Sequence, residues 1–339
     1  MIRKHLTRRE FVRLAGTSAL TVGPAASMYA RSGQALKSVS SGSRHQVALV
    51  PCPDYSPSAL GAAIRDGWRS SRPPDVKGKR VVIKPNIADF APDKPIHTDT
   101  RIVESLILLL KSQGALEIIL AEGPPHNRDT EWLFRATGYE ALAKRQGVRL
   151  IDLNYDDVSP VRGVTPNSTY LKEMYLPRTI LSADVLISAP KMKTHRHAGI
   201  TLSMKNMFGV LPGMRYGWPK NVLHWNGIPL SVCEINGTVK THYAIVDGVI
   251  GMEGYGPLMG SAKKAGVLIM GDNALAVDAT AARVMGIEPA RVEHLAMADK
   301  FRFGSLRLDD IAIVGSTVET ARTDFVLDPE FAHLRASKV

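Results

Sequence analysis

A cluster of basic and titratable side chains follows directly after an apolar segment of the chain. Residues 185–187 are Val, Leu and Ile, which predicts a buried strand that ends at Pro190. The residues that follow share a positive charge or an ionisable imidazole: Lys191, Lys193, His195, Arg196, His197 and Lys205. Such groups are costly to bury unless an anion or a metal ion lies among them. The pattern therefore predicts a binding site, and the alternative is a solvated basic loop.

Polar side chains also follow the other predicted strands. In open parallel sheets, ligands bind in the crevice at the carboxyl ends of the strands, so we expect these residues to meet there. The predicted strand ends are residues 84–86 (Lys-Pro-Asn), 122–124 (Glu-Gly-Pro), 190–191 (Pro-Lys), 247–248 (Asp-Gly) and 271–273 (Gly-Asp-Asn). An ammonium and an amide at residues 84–86 can orient an anion. A lysine that only caps exposed carbonyls is the alternative for that motif.

The residue types in this set are those of an acid–base site that binds an anion. A lysine desolvated among other cations can act as a base or a nucleophile, so Lys193 is predicted to be catalytic. His195 is predicted to act as a general acid or base, with Glu253 in a second proton-transfer role. The residues expected to contact the substrate are Lys84, Asn86, Glu122, Lys191, Lys205, Asn206, Gly254 and Gly256.

A glycine-rich stretch after residue 247 supplies carboxylates. Asp247 and Glu253 could bind a divalent metal ion, while Gly254 and Gly256 allow a ligand to approach the main chain closely. No phosphate-binding loop pattern is present in the sequence, which argues against a nucleotide. Asp278 is interpreted as a residue near a helix start, where the helix dipole favours a carboxylate.

The order of predicted elements indicates an α/β fold. Strands over residues 46–51, 80–84 and 116–121 alternate with helices over residues 58–70 and 101–113. This alternation predicts a mainly parallel central sheet with helices on both faces and some antiparallel additions. Residues 46–320 are predicted to form a single domain, residues 211–230 a lid or pocket wall, and residues 321–339 a peripheral tail.

Charge and cysteine content limit the function. The net charge is +11, of which residues 1–30 contribute +4 and leave +7 for the rest. This excess is compatible with a small anion or an anionic surface, whereas no basic run or aromatic platform indicates nucleic acid. Cys52 and Cys233 are the two cysteines of the chain, which predicts buried free thiols and no iron–sulfur cluster.

The N-terminus resembles an export signal. Residues 7–13 (Thr-Arg-Arg-Glu-Phe-Val-Arg) are similar to the twin-arginine motif that the translocase reads, and a short interrupted apolar stretch follows. Residues 1–30 are therefore predicted to be a twin-arginine signal and residues 31–45 a flexible linker. No stable transmembrane segment is predicted. Twin-arginine substrates cross the membrane folded, so the expected location is periplasmic or extracellular.

Several motifs together resemble the domain of unknown function 362 family, in order from about residue 47 to residue 318. They are residues 84–86 (Lys-Pro-Asn), 190–195 (Pro-Lys-Met-Lys-Thr-His), 204–209 (Met-Lys-Asn-Met-Phe-Gly), 247–257 and 276–279 (Ala-Val-Asp-Ala). The resemblance implies an α/β fold. Many members also carry ferredoxin-like cysteine clusters, which this chain lacks. The resemblance implies which residues form the site rather than which reaction occurs there.

These observations predict an exported enzyme that acts on a small anionic substrate, with a divalent metal ion as a candidate cofactor. An isomerase, a hydrolase and a lyase all fit the residues. The alternative is a non-catalytic periplasmic binding or maturation factor for an anionic ligand. A third reading, a protein that binds an anionic surface, requires the lysines to spread over an exposed face.

Overall fold

The computed structural model describes residues 45–125, 129–164 and 170–336. Within these ranges the strands are β1 (His45–Pro51), β2 (Arg80–Pro85), β3 (Glu117–Glu122), β4 (Arg149–Asp152), β5 (Val158–Arg162), β6 (Glu173–Pro177), β7 (Val185–Ala189), β8 (Lys191–His195), β9 (Gly199–Thr201), β10 (Tyr243–Glu253), β11 (Ser261–Gly271) and β12 (Ile311–Gly315). The α-helices there are α1 (Pro57–Ser70), α2 (Thr100–Ser112), α3 (Thr130–Ala136), α4 (Tyr139–Gln146), α5 (Arg178–Leu181), α6 (Ser203–Asn206), α7 (Gly213–Tyr216), α8 (Asn221–Trp225), α9 (Ile228–Thr238), α10 (Ala274–Val284), α11 (Glu293–Lys300) and α12 (Val318–Ala321). Short 3₁₀ helices occupy Met207–Val210, Pro289–Arg291, Leu308–Asp310 and Pro329–Leu334.

The main sheet is mixed and mostly parallel. Its strand order is β12-β1-β11-β10-β7-β2-β3-β4, with β8 paired to β10 and β9 paired to β8. Along this order the pairs are parallel except those that β11 makes with β1 and β10. β9 runs antiparallel to β8, and β5 and β6 form a separate antiparallel pair. The predicted α/β fold is confirmed.

The core lies on both faces of this sheet because strand side chains alternate. Val82 and Leu186 belong to an apolar cluster that includes residues of α9, α10 and α11. Their neighbours Val81 and Ile187 belong to a second cluster with α1 and α2. The apolar stripe of α2 fits this role, and Asp99 begins that helix by accepting the backbone N–H of Arg101 at 2.9 Å. Helices therefore cover both faces, as predicted.

Two of the predicted strand ends lie elsewhere than expected. Because β11 runs antiparallel, Gly271 pairs with Val47 at the start of β1, so residues 271–273 lie at the opposite edge from the carboxyl ends of β2, β3 and β7. Their placement in the shared crevice was wrong. Asp247 also lies inside a strand, since β10 continues to Glu253 through a register shift after Gly248. The glycine-rich stretch after residue 247 is therefore mostly strand.

The basic cluster lies on a strand rather than on a loop. β8 follows Pro190 and pairs with β10, where Lys191 is in register with Asp247. Alternation puts Lys191, Lys193 and His195 on one face of β8 and Thr194 on the other. The chain returns as β9, and α6 follows with Lys205 and Asn206. Two short strands and one helical turn therefore present the whole cluster.

Other predictions concern the ends of the chain and the thiols. Phe325 and Leu334 are buried in the core, so at these positions the tail predicted to be peripheral packs against the domain. Cys52 and Cys233 are free and buried, as expected. In the described part of the chain, no helix has the length and apolarity needed to cross a membrane. The predicted twin-arginine signal and linker lie outside the described residues, apart from His45.

Candidate functional site

A buried ion pair marks the carboxyl ends of β2 and β3. Lys84 Nζ lies 2.7 Å from Glu122 Oε1, and both side chains are almost completely buried. Glu122 also accepts two backbone N–H groups at 2.9 Å, one to each carboxylate oxygen. These bonds and the opposite charge offset the cost of burying the pair. Gly209 packs directly on it, since a Cβ there would lie 2.3 Å from Glu122 Oε1.

Asn206 ties this pair to the neighbouring strand. Its Oδ1 accepts from Lys84 Nζ at 3.1 Å and from Asn86 Nδ2 at 3.2 Å. Its Nδ2 donates to the Lys84 carbonyl and to Ser188 Oγ, both at 3.0 Å. The structure therefore brings Lys84, Asn86, Glu122 and Asn206 together, four residues that the sequence predicted for one site.

Asp278 holds the helical turn that carries Asn206 and Lys205. It is fully buried in the middle of α10, and its two oxygens accept the backbone N–H groups of Ser203 and Met204 at 2.7 and 2.8 Å. Burial raises the pKa of Asp278 to about 7, against the lowering effect of the two amide bonds. The carboxylate caps a different helix from its own, so its interpretation as a helix-start residue was wrong.

Lys205 and Lys193 are the lysines of this region with few protein partners. Lys205 Nζ lies 3.7 Å from the centre of the Phe208 ring, and within the described residues it contacts no hydrogen-bond acceptor. Lys193 is fully buried and donates to the Ile96 carbonyl at 2.7 Å. Burial, followed by the charges of Lys191 and Lys205, lowers the pKa of Lys193 to about 7, and burial lowers the pKa of Lys205 to about 7 as well. Positive charge is therefore poorly compensated here.

His195 faces the same place, two residues beyond Lys193 on β8. Burial, followed by the charges of Lys205 and Lys193, lowers the His195 pKa well below its usual value. The ring is therefore neutral at neutral pH. Its Nδ1 accepts the backbone N–H of His197 at 3.0 Å. The neutral ring consequently carries its proton on Nε2.

Lys191 lies two residues before Lys193 on the same face of β8, but it is fully paired with protein groups. Its Nζ lies 2.5 Å from Asp247 Oδ2 and donates to the Tyr55 hydroxyl at 3.0 Å. Asp247 also accepts from the Tyr55 hydroxyl at 2.9 Å and from the backbone N–H of Asp99 at 3.0 Å. Burial raises the pKa of Asp247, and Lys191 opposes this shift. All these partners are protein groups, so neither side chain has unpaired charge.

Lys220 anchors the segment predicted as a lid or pocket wall. Its buried ammonium donates to the carbonyls of Gly123 at 2.9 Å, Gly209 at 3.2 Å and Leu211. Burial lowers the pKa of Lys220 to about 7. This bonding attaches the segment to the loop after β3 and to the turn that packs on Lys84.

Four lysines of this region are buried, namely Lys84, Lys191, Lys193 and Lys220. These four lysines therefore do not form an exposed basic surface.

Glu253, Gly254 and Gly256 lie further along β10 and its following turn. Glu253 Oε2 lies 3.5 Å from Lys263 Nζ and accepts the backbone N–H of Val326 at 2.9 Å. A Cβ at Gly256 would lie 2.0 Å from the Thr194 carbonyl oxygen, so this glycine allows the turn to pack on β8. Among the described residues, no three His, Cys, Asp or Glu side chains are grouped to hold a metal ion. Asp247 and Glu253 are therefore not part of such a group.

Sequence reasoning did not name Tyr55 or Lys220 as site residues, and it misinterpreted the role of Asp278. Asp278 carried a usable signal, because a carboxylate in the middle of the apolar stretch 274–284 requires a buried partner. Lys220 carried a weaker one, since it lies in the irregular segment already predicted to be a pocket wall. Nothing in the sequence indicated that Tyr55 would meet Asp247 across 192 residues.

Comparison with known families supplies a classification. A family model described as "Domain of unknown function (DUF362)" matches residues 81–283, more than half of the chain. The chain belongs to this family. The family resemblance predicted from the motifs is thereby confirmed, and the DUF362 match contains β2 to β11, and with them the Lys84, Lys193 and Lys205 region.

One curated protein and one solved structure resemble parts of this DUF362 chain. The thylakoid-associated protein sll1697 of Synechocystis sp. is 24% identical over 236 residues, which cover 66% of this chain and 68% of that protein. Among solved structures, the lactate racemase apoprotein from Thermoanaerobacterium thermosaccharolyticum aligns with a TM-score of 0.42 and 13% identity. That alignment covers 75% of this chain and 56% of the racemase, so the chain spans little more than half of its length.

Proposed function

We propose that this DUF362 chain is an acid–base enzyme for a small anionic substrate, bound at Lys205, Lys193 and His195. The observation that carries the proposal is the poorly compensated charge of the two lysines. Together they have one carbonyl acceptor among the described residues, while Lys84, Lys191 and Lys220 are saturated by protein groups. A carboxylate or phosphate would supply the missing counter-charge.

The binding step follows from this imbalance. An anion beside Lys205 raises the pKa of that lysine, so the substrate arrives together with a proton or selects the protonated form. Asn206 and Asp278 fix the turn that carries Lys205, and the Lys84–Glu122 pair fixes Asn206. The cation is therefore held in position before the anion binds.

The proton-transfer step is assigned to β8. With a pKa of about 7, the Lys193 amine is partly unprotonated at neutral pH and can accept a proton from the bound substrate. The neutral His195 ring presents Nε2–H, which can donate to oxygen as negative charge develops on it. Isomerisation, hydrolysis and elimination all use such a pair. Asp247 and Glu253 lie six residues apart on β10, about 20 Å along an extended strand, and protein groups already bind both, so this pair does not fit a single metal ion.

We also propose that the enzyme acts in the periplasm or outside the cell. The paired arginines of residues 7–13 and the apolar stretch behind them support this location. A fusion of residues 1–45 to a folded reporter tests it. Export should require both Arg8 and Arg9, and export of the Arg8→Lys, Arg9→Lys variant at the unaltered rate would contradict the twin-arginine route.

The activity is tested on a mixture of small carboxylates and phosphate esters incubated in D₂O with the purified full chain. Mass spectrometry then reports deuterium gained at carbon and any compound that disappears. We expect at least one anion to react with the unaltered protein, and Lys193→Met and His195→Gln to abolish that reaction. Lys172→Met is the matched control, because Lys172 is exposed. An anion that binds but neither reacts nor exchanges identifies a non-catalytic carrier instead.

A further inference from the structure

His294 is a buried histidine without a hydrogen-bond partner. It lies near the start of α11 and is fully buried. Neither ring nitrogen has a partner within the described residues. This is uncommon, since buried polar groups in native proteins are nearly always paired with protein or with bound molecules. The backbone of His294, unlike its ring, has a hydrogen-bond partner, since its carbonyl accepts from Cys233 Sγ at 3.4 Å.

The His294 ring lies in the electrostatic neighbourhood of the proposed site. The charge of Lys205 acts on His294, and His294 in turn acts on His195. The helices agree with this position. α11 packs on α9, and on α9 Asn236 donates to the Met204 carbonyl of α6 at 2.9 Å. The ring therefore lies in the protein interior near the turn that carries Lys205.

The ring is also neutral, which limits what it can bind. Burial, with the nearby charge of Lys205, lowers the pKa of His294 to about 3. A neutral imidazole offers one N–H donor and one acceptor nitrogen and adds no charge. It does not compensate an anion as an ammonium does. It suits an uncharged oxygen, such as a hydroxyl or a carbonyl.

We propose that His294 binds an uncharged oxygen of the substrate whose anionic group is held by Lys205. This inference rests on the proposed anion site and narrows the substrate class to small acids that carry a hydroxyl or carbonyl group beside the acidic group. His294 is assigned a role in specificity rather than in charge neutralisation. A substrate with an anionic group alone would leave both ring nitrogens unpaired.

Two probes that differ by one hydroxyl test the inference, namely acetate and glycolate. Their dissociation constants for the full chain are measured by calorimetry at pH 6.5, with inorganic phosphate as a third probe of the anion site. We expect glycolate to bind about fivefold more tightly than acetate, the value of one net hydrogen bond. His294→Phe should abolish this preference and leave the affinity for acetate unchanged. His294→Gln, which keeps a donor and an acceptor, should retain part of it.

Thermal unfolding separates this role from a structural one. His294→Phe removes two unpaired polar atoms from the interior, so its melting temperature should stay equal or rise. His242→Phe is the matched comparison and should fall, because His242 Nδ1 accepts the backbone N–H of Leu186 at 3.1 Å. A lowered melting temperature for His294→Phe would show that the ring has a structural partner and would overturn the proposal.

The remaining outcomes are also decisive. Equal affinity of the unaltered protein for acetate and glycolate, or a preference that survives in His294→Phe, overturns the role of His294 and leaves the anion site intact. Absence of binding of all three anions, or binding that is unchanged in Lys205→Met, overturns the anion site itself. The two failures are therefore distinguishable by which variant and which probe respond.

Discussion

Lys84 Nζ lies 2.7 Å from Glu122 Oε1, and this pair is buried beneath a turn of the main chain at Gly209. A buried ion pair adds little net stability, because the cost of desolvating both charges offsets their attraction. Removal of one partner is costly, since it leaves an uncompensated charge in the interior. The pair therefore fixes the position of Asn206, and its loss should lower both the stability of the fold and the affinity for the anion.

Single substitutions in this pair should be strongly destabilising. Lys84→Met or Glu122→Leu is expected to cost about 3–5 kcal/mol in the free energy of unfolding, measured by urea denaturation. The double variant should cost clearly less than the sum of the two, because it leaves no isolated charge. Additive costs in this cycle would mean that the two charges do not depend on each other in the folded protein.

A methyl group at Gly209 should also disturb the pair. The added Cβ would lie 2.3 Å from Glu122 Oε1 and 2.7 Å from Lys84 Nζ, so Gly209→Ala is expected to cost about 1–3 kcal/mol. Gly61→Ala in α1 is the matched control. Its Cβ meets only the flexible end of Arg65 at 3.1 Å, and the change should stabilise the helix by up to about 1 kcal/mol. Equal effects of the two would refute this account.

Anion binding should take up protons. Free Lys205 has a pKa of about 7, and a bound anion raises it, so at pH 8 binding converts the neutral Lys205 amine to an ammonium group. Affinity should therefore be highest below pH 7 and decline as the pH rises above it. Calorimetry at pH 8 in buffers of different ionisation enthalpy measures the uptake directly. The Lys205→Met variant should take up fewer protons, and Lys172→Met the same number as the unaltered protein.

Asp278→Asn should weaken the turn that carries Lys205. An amide can accept from one of the two backbone N–H groups but presents its own donor to the other, which should cost about 1–3 kcal/mol. The unaltered Asp278 has a folded pKa raised to about 7, so its contribution to stability falls as pH rises from 4 through 7. The variant should lack this slope. Unfolding measured at several pH values in that range checks both parts.

The sequence predicted the fold better than it predicted the geometry of the site. Alternating strands and helices, the stripe on α2 and the cap at Asp99 are local features, and local features determine most secondary structure in this chain. β11 shows the limit. Its apolar pattern identifies a strand, but only pairing with β1 and β10 fixes its direction, and direction decides at which edge residues 271–273 lie.

The same limit applies to individual site residues. The motifs around residues 84, 122, 205 and 206 identified side chains that meet, because each follows or precedes a strand at one edge of the sheet. The sequence does not show that Lys191 and Lys193 have different partners. In the structure Asp247 of β10 pairs with Lys191, whereas Lys193 has only the Ile96 carbonyl among the residues that the structure describes. Lys220 and Asp278 act through contacts that join distant segments, which residue spacing does not reveal.

Asp278 also links the hydrophobic interior to the proposed chemistry. Its helix, α10, is almost entirely buried, and the carboxylate extends from that helix to the amides of the turn that carries Lys205. A small rotation or shift of α10 would move the ammonium by a similar amount. Selection for a new substrate could therefore act on alanines such as Ala276 and Ala279, which lie in the packed core. In this fold the packing of the core sets the position of the Lys205 ammonium, so substitutions in the core could change which substrate binds.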